Sequence, residues 1–107
     1  MTLRLVTGDS PSYALTAKQD GAVFAIDSGA TVRARIVDIN KNALTDIITL
    51  SSATTGADWP NSLIVAQFLK ASTELITYYG KGYIELEIND NAELTYFYKL
   101  NIEQGTI

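Results

Sequence analysis

Two glutamates one residue apart, Glu85 and Glu87, are the side chains of this sequence best spaced to do chemistry. On a strand they share a face at about 7 Å from each other, within the ~5 to 9.5 Å over which paired carboxyl groups hydrolyse glycosides. That reaction needs a cleft, and neighbours on an outward strand surface form none. Cross-strand pairing with Arg33 and Arg35 is an equally simple use for them. Asp38-Ile39-Asn40-Lys41-Asn42 offers the first three oxygen ligands of a calcium loop, but Ala43 and Thr49 occupy the positions where the loop requires Gly and its last acidic ligand. The segment reads instead as a hairpin turn whose Asp and Asn side chains bond their own backbone. Gly80-Lys81-Gly82 lacks the spacing of a phosphate loop and the Ser or Thr that must follow its lysine, so it reads as a helix stop and a strand start.

The chain contains no histidine and no cysteine. The usual general base near neutral pH is therefore missing, together with thiolate nucleophiles, disulfides and the commonest zinc ligands. The expectation is a protein that is not an enzyme, with no catalytic residue, cofactor site or metal site. Its net charge is −4, and the eight basic residues scatter without a cluster longer than Arg33 and Arg35. Phosphate backbones need several cations on one face, so nucleic acid is not an expected partner. No stretch approaches the ~20 apolar residues of a membrane span, and the opening Met-Thr-Leu-Arg-Leu-Val is too short an apolar run for a signal peptide. The product is expected to stay soluble where it is made, with no membrane partner.

The elements that would carry these residues are strands. At 107 residues, 47% apolar and 19% charged, the chain is expected to form a single domain, 1–107, that buries roughly 65% of its unfolded surface. Thr31 to Asp38 alternates, with Val32, Ala34 and Ile36 on one face. Tyr83 to Asn89 does the same with Ile84, Leu86 and Ile88, and Leu94 to Ile102 with Leu94, Tyr96, Tyr98, Leu100 and Ile102. Leu3 to Val6, Tyr13 to Lys18 and Thr45 to Leu50 are further strands, separated by turn residues at Gly8-Asp9-Ser10-Pro11, Gln19-Asp20-Gly21 and Asn40-Lys41-Asn42. Leu63 to Leu69 is apolar on both faces, so it is either central or covered by something else. Residues 51 to 61 form the longest loop. Ala71 to Tyr79 is the only helical candidate, with Ser72 as N-cap and Gly80 as stop. The fold class predicted is all-β, a β-sandwich of about seven strands with one short helix near residues 71–79.

Three segments carry a resemblance. Gly8-Asp9 precedes Tyr13-Ala14-Leu15-Thr16; Ile26-Asp27-Ser28-Gly29 leads into Ala30-Thr31-Val32-Arg33-Ala34-Arg35-Ile36; and Gly82-Tyr83 opens a strand running to Asn89-Asp90. In this order they resemble the immunoglobulin-like module at the N-terminus of phage baseplate upper proteins and related small phage structural proteins. Ala71 to Tyr79 matches that module's helical turn and Leu100 to Ile107 its closing strand, so the resemblance spans nearly the whole chain. Ser10-Pro11 and the long loop around Trp59 depart from the pattern. The resemblance implies an immunoglobulin-like sandwich and an architectural role in the virion, reached after synthesis in the host cytoplasm. It implies docking to other phage structural proteins of tail, baseplate or head surface, often as a homo-oligomer.

With the inward faces assigned as above, Ile47, Leu63, Val65, Leu69, Tyr83 and Phe97 are left pointing outward, and Trp59 sits in a loop. A register slip of one residue would turn them inward. Otherwise they mark a partner interface, because monomers seldom expose large contiguous apolar patches. A rival reading is a carbohydrate-binding or host-receptor-binding module, stacking sugars on Trp59, Tyr78, Tyr79, Tyr83, Tyr96 and Tyr98; it rests on fold analogy.

Overall fold

The alternation read from the sequence becomes pleated strands with one buried face. The computed structural model describes residues 2–90 and 93–105. Asn91 of the turn after Asn89, and Thr106 and Ile107 of the closing segment, lie outside them, as does Met1. Nine strands are formed among the described residues: β1 (Leu3–Val6), β2 (Ser12–Thr16), β3 (Lys18–Gln19), β4 (Ala22–Val23), β5 (Thr31–Asp38), β6 (Ile48–Leu50), β7 (Leu63–Gln67), β8 (Gly80–Asn89) and β9 (Glu93–Glu103). The protein is mostly β; among the described residues there is a single helical turn, α1 (Lys70–Thr73), and a 3₁₀ turn at Trp59–Asn61.

Five strands form the main sheet in the order β1-β9-β8-β5-β6, and β2 pairs with β7 in a second sheet. All pairs are antiparallel except β1 with β9, which run parallel in the register Leu3 to Leu100 and Leu5 to Ile102. Val32, Ala34 and Ile36 of β5, Ile84, Leu86 and Ile88 of β8, and Leu100 and Ile102 of β9 meet Leu15 of β2, Ile64 and Ala66 of β7, and Phe68 in one buried cluster. Two tyrosine hydroxyls tie β2 to the main sheet. Tyr13 donates to the Arg4 carbonyl at 2.7 Å, and Tyr98 to the Thr16 carbonyl at 3.0 Å. Gly82 is needed where β8 begins its pairing with the end of β5, opposite Asp38, since a Cβ there would lie 2.5 Å from the Val37 carbonyl oxygen.

Three elements differ from the sequence expectation, each for a local reason. The two strands beyond about seven are β3 and β4, a two-residue hairpin whose loop, Asp20-Gly21, has positive φ at both positions (54° and 79°) as the tight hairpin turn requires. The helix is one turn at Lys70–Thr73 and not a longer one near 71–79; Ser72 lies inside it and Leu69 is the N-cap. The cap's work is done from outside, by Ser10 Oγ accepting from the Lys70 N–H at 3.0 Å. Thr73, fully buried, anchors the turn by donating to the Asp9 carbonyl at 2.6 Å. The strand expected from Thr45 begins only at Ile48, because Thr45 is taken by the hairpin: its Oγ1 accepts from the Ile36 N–H at 3.0 Å.

Candidate partner interface

The outward face of the main sheet is built by the residues that alternate with the core. Along β8 these are Lys81, Tyr83, Glu85 and Glu87, and pairing fixes what stands beside each. Arg33 lies opposite Glu87 and Arg35 opposite Glu85 on one side; Phe97 lies opposite Glu85 and Lys99 opposite Tyr83 on the other. The carboxylates therefore face arginines directly across the strands, where opposite charges are favourable. Arg33 is paired with Glu87, and Arg35 Nε donates to Glu85 at 3.0 Å. The hydrogen bond and charge of Glu87 raise the Arg33 pKa above its ordinary value. Both glutamates are thus consumed in cross-strand pairs, the simpler of the two uses read from their spacing.

Next to this ladder lies an aromatic pair. The Tyr83 and Phe97 rings meet edge to face with centroids 5.8 Å apart, a geometry that aligns ring edge with ring face. Lys41 reaches over from the β5–β6 turn and holds its ammonium 4.4 Å from the Phe97 centroid, within cation–π range. Lys41 sits in that turn with a left-handed φ of +66°. Asp38 Oδ1 accepts from the N–H groups of Asn40 and Asn42, both at 2.9 Å, so the calcium-like segment is the self-bonded turn its residues describe. Among the described residues no three acidic or other metal-binding side chains converge. Beyond Tyr83, a groove of about 540 Å³ opens at the end of the face, lined by Arg4, Ile39, Lys81, Tyr83, Lys99 and Asn101 among others.

The seven residues expected at a partner interface do not form one patch. Tyr83 and Phe97 are adjacent, and Phe97 is 37% exposed. Ile47, half exposed, lines a shallow groove with Arg33, Arg35, Glu85 and Glu87 on the same face. Leu69 is exposed but belongs to the start of α1, away from the paired strands of the main sheet. Trp59 and Val65 are corrected outright: they are 2% and 8% exposed and are core, not surface. The 3₁₀ turn tucks Trp59 inward, where its carbonyl accepts from the Ile26 N–H at 2.9 Å. Leu63 is half-buried. Asp58 bridges to Leu63 and Gly56 passes close to Val65, so the 51–58 loop covers the outer side of β7. That cover explains a strand apolar on both faces.

The cationic members of the face, Arg4, Lys41, Lys81 and Lys99, were not singled out by the sequence reading. Their scatter along the chain hides that β1, the β5–β6 turn, β8 and β9 bring them to one end. The alternation of β8 and β9 held a signal, since Lys81 and Lys99 fall on the outward phase with Tyr83 and Phe97. No protein-family model matches the chain, and a search of curated proteins finds no relative.

Proposed function

We propose that this chain is a structural docking module of a phage virion, an immunoglobulin-like β-sandwich that acts through protein–protein contacts on the outward face of its main sheet. The observation that carries the reading is the outward Tyr83–Phe97 pair, half-buried at Tyr83 and exposed at Phe97, under the Lys41 ammonium. Aromatic residues and arginines are the side chains most enriched at the centres of interfaces, and here the aromatic pair adjoins the Arg33 and Arg35 ladder. The virion context comes from the resemblance of the Gly8-Asp9, Ile26–Ile36 and Gly82–Asp90 segments to phage structural modules. A sugar-stacking role lacks Trp59, which is buried, and finds the hydroxyls of Tyr78 and Tyr98 engaged with the Lys81 and Thr16 carbonyls.

The test is cosedimentation of the purified chain with dissociated phage tail and capsid components, alongside its own solution mass. Binding or self-association that is lost in Phe97→Glu, with circular dichroism unchanged, supports the reading. A strict monomer at high concentration that binds none of these components overturns it.

A further inference from the structure

Four of the eight basic residues, Arg4, Lys41, Lys81 and Lys99, gather toward the Gly80 end of the outward face, although the chain as a whole carries −4. Strand pairing explains the convergence. Arg4 of β1 and Lys81 of β8 stand on either side of Asn101, and Lys99 stands beside Tyr83. Lys81 and Lys99 are therefore diagonal neighbours across β8 and β9, about 7–8 Å apart at the backbone, close enough for both ammonium groups to reach one carboxylate. Arg4 is already paired with Glu103, whereas Lys41, Lys81 and Lys99 have no ion-pair partner among the described residues. Lys81 and Lys99 line the groove of about 540 Å³, and among the described residues no acidic side chain lines it with them. Tyr83 and Ile39 give it apolar wall, Ile39 being 46% exposed. Two unneutralised like charges beside exposed apolar surface are the complement of an anion with an apolar neighbour.

We propose that this groove docks a short acidic segment of a partner protein, extended across β8, β9 and β1, with its carboxylates on Lys81 and Lys99 and an apolar side chain against Ile39 and Tyr83. The inference rests on the docking reading above and names the chemistry of the partner at that surface. Strand spacing sets the length of the segment. Neighbouring strands lie ~4.8 Å apart, so β1 and β8 are about 10 Å apart, and an extended chain advances ~3.3 Å per residue; about three to four residues fill the groove. Its volume lies inside the ~300–1,000 Å³ of sites that bury a ligand. A polynucleotide is disfavoured, because the positive charge is confined to about 10 Å of a net acidic chain, too short for the run of phosphates that sustained binding neutralises. Inorganic phosphate would leave Ile39 and Tyr83 without a role. Lys41, 4.4 Å from the Phe97 centroid, extends the positive field beyond the groove and steers an acidic segment toward it.

Fluorescence anisotropy with a labelled, terminally blocked hexapeptide of alternating glutamate and leucine tests it on the intact chain. Saturable binding is expected, weakening by about tenfold or more between ~0.05 M and ~0.5 M salt. Peptides with glutamine for glutamate, or with serine for leucine, are each expected to bind about fivefold more weakly or worse. Lys81→Gln with Lys99→Gln, both at exposed strand positions, is expected to keep its circular dichroism and lose about tenfold in affinity. Lys81→Glu with Lys99→Glu is expected to reject the acidic peptide and to bind a lysine–leucine peptide in its place. No binding at ~1 mM acidic peptide, or an affinity unchanged in the glutamine variant or with the serine peptide, overturns the inference. Tighter binding of inorganic phosphate or of a single-stranded oligonucleotide than of the peptide also overturns it, in favour of a phosphate ligand. Phage components that bind the wild type and the glutamine variant alike, yet fail to bind Phe97→Glu, leave the docking reading standing while this inference fails.

Discussion

Removing the hydroxyls of Tyr13 and Tyr98 tests how the two sheets are held together. Each hydroxyl crosses between β2 and the main sheet to donate to a backbone carbonyl, and each phenol has its pKa pushed up to about 12. Burial is the main cause in both; the charge of Asp9 adds to it at Tyr13, and Tyr96 at Tyr98. An unfolded tyrosine releases its proton near pH ~10. Between about pH 10 and 12 the native state therefore holds protons that the unfolded state has lost, so stability falls as pH rises through this window and is complete below it. Two units correspond to about 2.7 kcal/mol per group at most. Partial solvent access reduces this to about 1–1.5 kcal/mol each, or about 2–3 kcal/mol for the pair. Urea unfolding followed by circular dichroism, at about pH 9 and about pH 11.5, should show that loss in the wild type. The double variant Tyr13→Phe, Tyr98→Phe should start about 1–2 kcal/mol less stable at pH ~9, from two lost hydrogen bonds, and then change much less with pH. Equal alkaline losses in the two proteins would refute the idea that these hydroxyls join the sheets.

Gly82→Ala should destabilise by about 2 kcal/mol in urea unfolding, because the new methyl would meet the Val37 carbonyl oxygen at 2.5 Å and Ile102 Cδ1 at 3.1 Å; a neutral result would contradict the close approach of β8 to the end of β5. A double-mutant cycle on Arg35→Ala and Glu85→Ala should give a favourable coupling of about 0.5–1 kcal/mol, since the side chains retain 30% and 17% exposure, and no coupling would mean the ladder is not formed in solution. Trp59 fluorescence should be insensitive to saccharides and poorly quenched by iodide, as its 2% exposure requires; a saccharide-dependent shift would return the sugar-binding reading to first place.

The strands whose apolar residues strictly alternate were legible from sequence because burial on one face imposes a period of two. Thr31 to Asp38 has the expected limits and the expected buried residues Val32, Ala34 and Ile36. The partnership of Glu85 and Glu87 with Arg35 and Arg33 was legible as a possibility, since all four occupy outward phases; the register that chose it was not. The parallel pairing of β1 with β9 joins opposite ends of the chain, and nothing local announces it. The interface set fell apart where a loop did the covering. Trp59 stands next to Pro60 among Ser, Thr and Gly, the composition of an exposed loop. Its burial depends on Ser62 adopting a left-handed conformation, φ 63°, and bonding its hydroxyl to the Ala17 carbonyl at 2.7 Å. Those contacts are tertiary, and periodicity does not report them. The same holds for Val65, whose outward phase was read correctly while the segment lying over it was not.

The outward face of the main sheet as a protein-docking surface is the claim on which the functional account depends. Hydroxyl-radical footprinting of the free chain and of the chain in its assembled state reads Tyr83 and Phe97 directly. Both rings should be modified in the free chain and strongly protected on assembly, while the exposed Leu69 and Leu75 near α1 stay reactive. Protection confined to the α1 side, with Tyr83 and Phe97 equally reactive in both states, would place the contact elsewhere and contradict the account.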